Sequence, residues 1–494
     1  MRELDFVRAL REEKDWKPDL APTQLIDEAF PCDADKEFAE YLKGVTQAEI
    51  SEPYADLITA SKWRHGRRPL HIMPIRERVF YRALVNLIED DLPKYERSSE
   101  AFDNFEQGPI AVCDTDLVIK ADIANYFASI DHELLSREIV SRSGRQEVAQ
   151  VLASFWRSLF NRGVGIPQMS EPSKSLAELL TENLHRSLVR RGLKVWRYAD
   201  DFRIGVNSRS ECVSALDAIH EESRSLGLSL NDWKTHVLPM GRYKELVNEP
   251  MEQESAARSS VIEDLTAWDP YSDTGNDVYV PDDDDDHVYI GAAVQLLSDL
   301  ASEEADAILE HSGLRERHRL IRRSIDILEF FQDDSGLPFV SETLIQEPQL
   351  TPAACRYLTS VATKNPDAVR QTILDILTKS SPNKWQQIWL AWTLQAPSLE
   401  IPAKSQDLTD FVTALLVDRS EFARSNALWA AARHKMLRQE QWAAVAESVR
   451  TLGSPYVAAS LSGVSGLSEA DRKRLMPTTK LDILAAEWGA RCIP

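Results

Sequence analysis

Three acidic side chains stand out by position. Asp122 closes a short apolar run, LVIKAD at 117–122, while Asp200 and Asp201 occupy the polar turn of RYADDF at 197–202. Phe202, Ile204 and Val206 alternate with Arg203 and Gly205, so 193–207 is expected to form two short strands around that turn. Adjacent aspartates in a tight turn are also ordinary turn chemistry, because the short side chain bonds its own backbone there. A second apolar strand ending on an acid, placed ahead of the hairpin, changes that balance: neighbouring strands of one sheet would bring Asp122 up to Asp200. Three carboxylates converging on one point repel one another unless cations neutralise them. Hard oxygen donors with no His or Cys nearby select Mg2+, with Mn2+ as the substitute. Two such ions ~3.5–4 Å apart activate a hydroxyl nucleophile and steady a departing pyrophosphate.

The elements expected to position these acids can be read from apolar spacing. Residues 1–50 read as polar helices broken at Pro18, Pro22 and Pro31. Residues 51–100 begin as a basic loop, SKWRHGRRPLHIMP, and continue as an amphipathic helix through RERVFYRALVNLIEDDL, with Val79, Ala83, Leu84, Leu87 and Ile88 at helical spacing. After the strand at 117–122 comes a helix capped by Asp131, then one through FWRSLF, then one over 174–190 with Leu176, Leu180, Leu184 and Leu188 four apart. A helix near 211–225 and the segment LGLSLNDWKTHVLP follow the hairpin. This order describes an α+β layer, one sheet with helices packed on one face. From Ile290 onward the pattern is helical throughout, in segments such as DAVRQTILDILTKS, KWQQIWLAWTLQ, SEFARSNALWAAARHK and QEQWAAVAESVRTLG. Their boundaries suit helix-hairpin repeats of ~40 residues, an irregular HEAT-like array. Trp385, Trp389 and Trp392 are expected in its core. Between the halves, SDTGNDVYVPDDDDDHVY has five consecutive aspartates, few core residues and no Gly and Glu at EF-hand spacing, so 251–289 reads as an acidic linker.

The chain has 494 residues, room for two or three domains, and a net charge of −22. Residues 1–250 hold 34 Lys and Arg against 42 Asp and Glu, and 251–494 hold 23 against 37. Two basic or near-neutral islands, 51–100 and 151–200, interrupt the acidity, which leaves local cationic surface for phosphates but weak non-specific DNA binding. Five scattered cysteines (Cys32, Cys113, Cys212, Cys355, Cys492) give neither a metal knuckle nor a disulfide framework. No apolar run approaches the ~20 residues of a membrane span, and MRELDFVRALREEKDW is too acidic for a secretory or transit peptide. A cytoplasmic location and no membrane partner are therefore expected.

Taken in order, these segments resemble the motifs of reverse transcriptases, the right-hand polymerases of bacterial group II intron, retron and defence lineages. RRPLHIMPIRER (67–78) resembles their fingers segment, VIKADIANYFASIDHELL (118–135) the first palm motif and GVGIPQMSEPSKSLAELL (163–180) the second. RYADDF matches the catalytic YxDD, and LGLSLNDWKT (226–235) resembles the fourth motif. The resemblance covers roughly 60–245. It implies a fingers-palm domain over 1–250, and it makes Asp122, Asp200 and Asp201 metal aspartates, with the backbone carbonyl of Ile123 as a further ligand. It implies dNTP contacts for Arg68, with Lys62 and Arg64 as secondary candidates, and for Gln168 near the nascent base pair. Phe127 falls at the aromatic steric gate that would exclude a 2′-hydroxyl; the alternative is that Phe127 and Tyr126 are core aromatics. Lys234 sits where the fourth motif offers a general acid to pyrophosphate, or is a surface lysine. Where relatives carry glycine after Pro-Gln, this chain has Met169, which puts template handling in question, and SEPSKS departs from the usual SPxSP run. The usual GFRPGRS-like segment and a recognisable thumb are absent.

A palm joined directly to an acidic helical array over 290–494 resembles the abortive-infection reverse transcriptases of bacterial antiphage defence, in which helices replace the thumb. That resemblance implies Mg2+-dependent DNA synthesis from dNTPs in the bacterial cytoplasm, RNA-templated or untemplated and of low complexity. It further implies nascent DNA, an RNA template or small non-coding RNA, and a homo-oligomer. The rival readings are a retron- or intron-like enzyme copying a defined RNA, and a helical scaffold carrying an inactive RNA-binding palm.

Overall fold

The structure, a computed structural model, describes residues 4–16, 20–23, 40, 42, 53–62, 66–112, 115–247, 286–302, 311–401, 405–436, 454–462, 470 and 480–492. Arg64, Cys32, Cys113, the segment 439–453 and the acidic linker up to residue 285 lie outside these. The chain divides into two compact units, one centred on 81–280, the other joining 54–80 to the stretch from 281 onward.

The second unit begins with α1 (Phe6–Asp15), β1 (Asp56–Ser61) and β2 (Arg67–Ile72). β1 and β2 pair antiparallel, with Ile58 opposite Leu70 and Ala60 opposite Arg68. The basic loop expected here is thus a hairpin. Its alternation of buried Ile58 and Ala60 with exposed Leu57 is hidden in the sequence by dense charge and by Pro69. A two-stranded sheet consists only of edges, so the N–H that proline lacks is not missed. The helix α2 (Ile75–Asn86) follows as expected.

In the first unit, α3 (Ser99–Ala111) precedes β3 (Leu117–Asp122), and the short α4 (Tyr126–Ser129) leads into α5 (His132–Ser143). Asp131 caps α5 by accepting from the N–H groups of Glu133 and Leu134, both at 2.9 Å. Then come α6 (Gln146–Phe160), α7 (Glu171–Arg190), β4 (Lys194–Tyr198), β5 (Asp201–Val206), α8 (Arg209–Ser225) and β6 (His236–Pro239). The four strands form one antiparallel sheet in the order β4-β5-β3-β6. Leu176, Leu180, Leu184 and Leu188 of α7 are fully buried, each worth about 1.5–3 kcal/mol of transfer free energy.

The sheet carries helices on both faces, which corrects the one-sided layer expected. α7 takes the face of Arg197, and α3 takes the other, where Phe102 and Phe105 pack on Tyr198 with ring centroids 5.2 and 5.9 Å away. The approach of α3 is close enough that a Cβ on Gly108 would stand 2.3 Å from the Trp196 ring. The sequence conceals α3 because Gly108 and Pro109, ordinarily helix breakers, fall inside it.

The remaining helices of the second unit are α9 (Asp286–Ser302), α10 (His311–Phe331), α11 (Leu337–Gln346), α12 (Thr351–Val361), α13 (Pro366–Lys379) and α14 (Lys384–Thr393). They continue with α15 (Gln406–Leu416), α16 (Glu421–Arg433), α17 (Ser454–Ser462) and α18 (Lys480–Cys492). Alternate helices pack on one another: α10, α12, α14 and α16 form one row, and α9, α11 and α13 a second. Trp385 and Trp389 are core residues, and both indole N–H groups donate to the Leu20 carbonyl, at 2.5 and 3.4 Å. Trp488 stacks on Trp429 at 4.9 Å.

Two helix N-termini of this array hold β1. The buried Asp56 carboxylate accepts from the Ser420 hydroxyl at 2.6 Å and the Phe422 N–H at 2.9 Å, at the start of α16. At the other end of β1, the side-chain amide of Asn383, the cap of α14, donates to the Ser61 hydroxyl at 3.1 Å. A carboxylate at a helix N-terminus satisfies orphan N–H groups and meets the positive end of the dipole. Replacing Asp56 with Ala strands both donors in a buried place. We expect a loss of about 2 kcal/mol, read as a lower urea midpoint; an unchanged midpoint would show that the clasp contributes nothing.

Candidate active site

The acids meet through strand register. Asp122 ends β3 directly opposite Asp201, the first residue of β5, and the Ile123 N–H donates to the Asp200 carbonyl at 3.3 Å. Ala199 takes a left-handed φ of +51°, which lets the chain reverse between Tyr198 and Asp201. Asp122 is 6% exposed, whereas Asp200 and Asp201 are half-buried. Burial first, then the charges of Asp201 and Asp122, push the Asp200 carboxyl up to about 6. The Asp201 carboxyl is also raised, by burial, against the lowering pull of Arg203.

Around them the protein supplies its own cations. Lys234 donates to Asp122 Oδ1 at 3.0 Å and the Asn231 amide to Oδ2 at 3.2 Å, while the Asn231 N–H donates to the Asp122 carbonyl at 2.8 Å. Arg203 is 4% exposed, ion-paired to Glu106, 3.8 Å from Asp201 Oδ1 and 4.5 Å above the Phe105 ring. In the strand alternation Arg203 falls on the face opposite Phe202, Ile204 and Val206, and α3 covers that face, which explains why it is buried. Behind the turn, Arg197 donates to the Ala199 carbonyl at 3.0 Å and to Glu178 at 2.6 Å, and Arg97 pairs with the same buried Glu178 at 3.0 Å. None of Asn231, Arg203, Glu106, Glu178, Arg97 and Arg197 was singled out from sequence. A charged residue inside an apolar strand alternation was the one available signal, and only for Arg203.

The other expected site residues divide. Tyr126 is 5% exposed and its hydroxyl donates to the Ala177 carbonyl, which suits the alternative that it is a core aromatic. Phe127 is half-buried, its ring 5.7 Å from that of Tyr126. Gln168 and Met169 are half-buried in the loop before α7, and Met169 has φ +58°. A left-handed conformation costs roughly 1–2 kcal/mol for a side chain such as methionine and nothing for glycine, which explains why glycine suits this position. Arg68 is exposed on β2, and the exposed Lys62 closes the hairpin through its N–H to the Gly66 carbonyl at 3.0 Å; both belong to the second unit.

Among the described residues no three His, Cys, Asp or Glu side chains stand in a ready-made metal cage. The Asp122 oxygens are instead engaged by Lys234 and Asn231. The donor chemistry nevertheless fits a hard cation: three carboxylates gathered at abutting strand ends, with Asp200 raised by burial and then by its acidic neighbours.

Residues 60–254 match the reverse transcriptase (RNA-dependent DNA polymerase) family. The chain therefore carries an RNA-directed DNA polymerase domain, a nucleotidyltransferase. Such domains generally use divalent metal ions. No curated protein matches the chain. Among solved structures it is similar to telomerase from Candida albicans in complex with a TWJ fragment of telomeric RNA, at 10% identity and TM-score 0.30, covering 71% of this chain and 67% of that one. It is also similar to Candida tropicalis telomerase with such a fragment, at 12% and 0.32, covering 76% and 66%. The apo telomerase of Candida tropicalis matches at 11% and 0.31, covering 98% and 77%. Among the described residues no helix is long and apolar enough to cross a membrane.

Asp200 generates a pH signature. Its carboxyl titrates near 6 when folded against an ordinary 3.8, so the folded state holds that proton more tightly than the unfolded chain. The stabilisation from protonation is complete below the ordinary value and is lost as pH rises through about 6. In metal-free buffer, melting temperature should therefore fall between ~pH 5 and ~pH 7.5. Asp200→Asn should flatten that slope and melt higher at the upper pH; parallel slopes would contradict the assignment.

Proposed function

We propose that the protein is a Mg2+-dependent DNA polymerase of reverse-transcriptase type that acts in bacterial antiphage defence. One observation carries the catalytic part: Asp122 registered against Asp201 beside the YADD turn, within the segment that matches the reverse transcriptase family. Asp122, Asp200 and Asp201, with the Ile123 carbonyl, would hold two Mg2+ ions, or Mn2+. Bound there, such ions would supply Lewis-acid neutralisation of a triphosphate and a lowered pKa for a hydroxyl.

The chain's own residues do the rest. Glu178, Arg197 and the Ala199 carbonyl fix the turn, so the acids are oriented before substrate arrives. Arg203 restrains Asp201 from the same face of the same strand. Lys234, 3.0 Å from Asp122, is placed to release that contact and donate a proton to pyrophosphate as the hydroxyl displaces it. Phe127 stands as the gate under the sugar, with the backbone fixed by the Ile166 N–H donating to its carbonyl at 2.9 Å. Arg68, with Lys62 beside it, would grip the triphosphate, and Gln168 would meet the nascent pair.

The two rows of alternately packed helices support a HEAT-like array in place of a thumb. With net charge −14 over 251–494 (23 basic against 37 acidic), that half is read as an assembly platform for a homo-oligomer. Its partners in this reading are dNTP, an RNA template or small non-coding RNA, and nascent DNA, in the bacterial cytoplasm.

Two experiments test the reading. Asp200→Ala combined with Asp201→Ala should abolish dNTP incorporation by the purified full-length protein while leaving it folded. Continued polymerisation would overturn the palm assignment and favour an inactive scaffold. Phe127→Ala should raise the ratio of rNTP to dNTP efficiency at least tenfold, a loss of about 1.4 kcal/mol in discrimination. An unchanged ratio would move the gate elsewhere.

A further inference from the structure

Trp233 is 91% exposed, more than any other large hydrophobic side chain among the described residues. Single exposed apolar residues are normal on protein surfaces. Three features set this one apart. First, its turn is rigid. The Trp233 N–H donates to Asn231 Oδ1 at 3.2 Å, and the Lys234 and Thr235 N–H groups donate to the Asn231 carbonyl at 3.0 and 2.9 Å. The turn is tied in turn to the catalytic strand through the two Asn231 bonds and the Lys234 bond to Asp122. Second, its place is chemical: the next residue touches a catalytic carboxylate. Third, its neighbours are charged or polar. Asp232, Lys234 and His236 are exposed, and His236 lies in register opposite Lys120, two residues before Asp122 on the same sheet face. An exposed aromatic plane one residue from a lysine that touches the polymerising centre has the make-up of a site for unpaired bases.

We infer that Trp233 is a stacking platform for an unpaired nucleobase next to the catalytic acids, the base coming from a single strand or from a free deoxynucleotide. The inference rests on the polymerase reading above. It adds a residue that selects neither sugar nor base identity, because every base offers a π-face.

The test compares full-length wild type, Trp233→Ala and Trp233→Phe. Affinity for a fluorescein-labelled single-stranded DNA oligonucleotide is read by anisotropy, and KM for dNTP by incorporation. Trp233→Ala should weaken one of these about 5- to 100-fold, the range of one base stack (~1–3 kcal/mol), and Trp233→Phe should retain most of it. Loss of strand affinity, matched in wild type by an oligonucleotide carrying abasic positions, identifies the strand as the source. A raised KM with strand affinity intact identifies the free nucleotide. The indole covers no core, so melting temperature serves as the folding control. If wild type polymerises and Trp233→Ala differs by less than twofold in both quantities, or if Trp233→Phe loses as much as Trp233→Ala, the platform is overturned while the polymerase reading stands. A wild type that neither polymerises nor binds the oligonucleotide overturns both.

Discussion

The constraint on which the first unit depends is the mutual repulsion of three carboxylates gathered at one sheet edge. Asp122 and Asp201 face each other in register and Asp200 adjoins them, so their charges must be held together by something other than their own chemistry. Strand pairing does the holding, and cations placed around the edge limit the cost. Lys234 reaches Asp122 from the loop before β6, and Arg203 reaches Asp201 from within the sheet. Removing one partner of a buried pair strands the other charge, which is why Arg203 is itself paired to Glu106 on α3. The helix that covers this face is thus part of the electrostatic support of the site as well as its roof.

The same edge concentrates backbone strain. Ala199, Asn125 and Met169 all have positive φ, and they flank the acids, the turn into α4 and the loop into α7. Only asparagine among the three tolerates that region readily. The surrounding bonds hold two of these conformations: Arg197 on the Ala199 carbonyl and the Ala128 N–H on the Asn125 carbonyl at 2.9 Å. Strain of this kind persists where the neighbourhood over-determines the geometry.

The strands and acids were legible from sequence because they obey a short-range rule. LVIKAD and DFRIGV alternate or run apolar, they end or begin on an acid, and the structure places them as paired strands with Asp122 against Asp201. Helices with a leucine every fourth position, such as α7, were equally clear. The hairpin of β1 and β2 was missed because an edge strand tolerates charge and proline that a central strand would not. The polar scaffolding of the site was invisible for a different reason. Glu178 serves Arg97 and Arg197, which lie 81 and 19 residues away in the chain. A bond between residues so far apart leaves no periodicity to read, and a buried glutamate looks like a surface one until its partners are placed. Tyr126 and Phe127 show the same limit in miniature: adjacent aromatics on one turn cannot be told apart until one hydroxyl is seen bonded to the Ala177 carbonyl.

The clasp on β1 bears on how this polymerase can be dissected. The stretch matched to the reverse transcriptase family starts at residue 60, inside a strand that begins at Asp56. A fragment trimmed to that homology would begin mid-strand, discard the carboxylate bonded at the head of α16, and leave Ser61 without the Asn383 cap of α14. What homology delimits as a self-contained module is, for its first hairpin, a borrowed element, completed by helices encoded more than 300 residues downstream. A minimal catalytic fragment of this chain has to be defined by hydrogen bonding, and it does not coincide with the recognisable motifs.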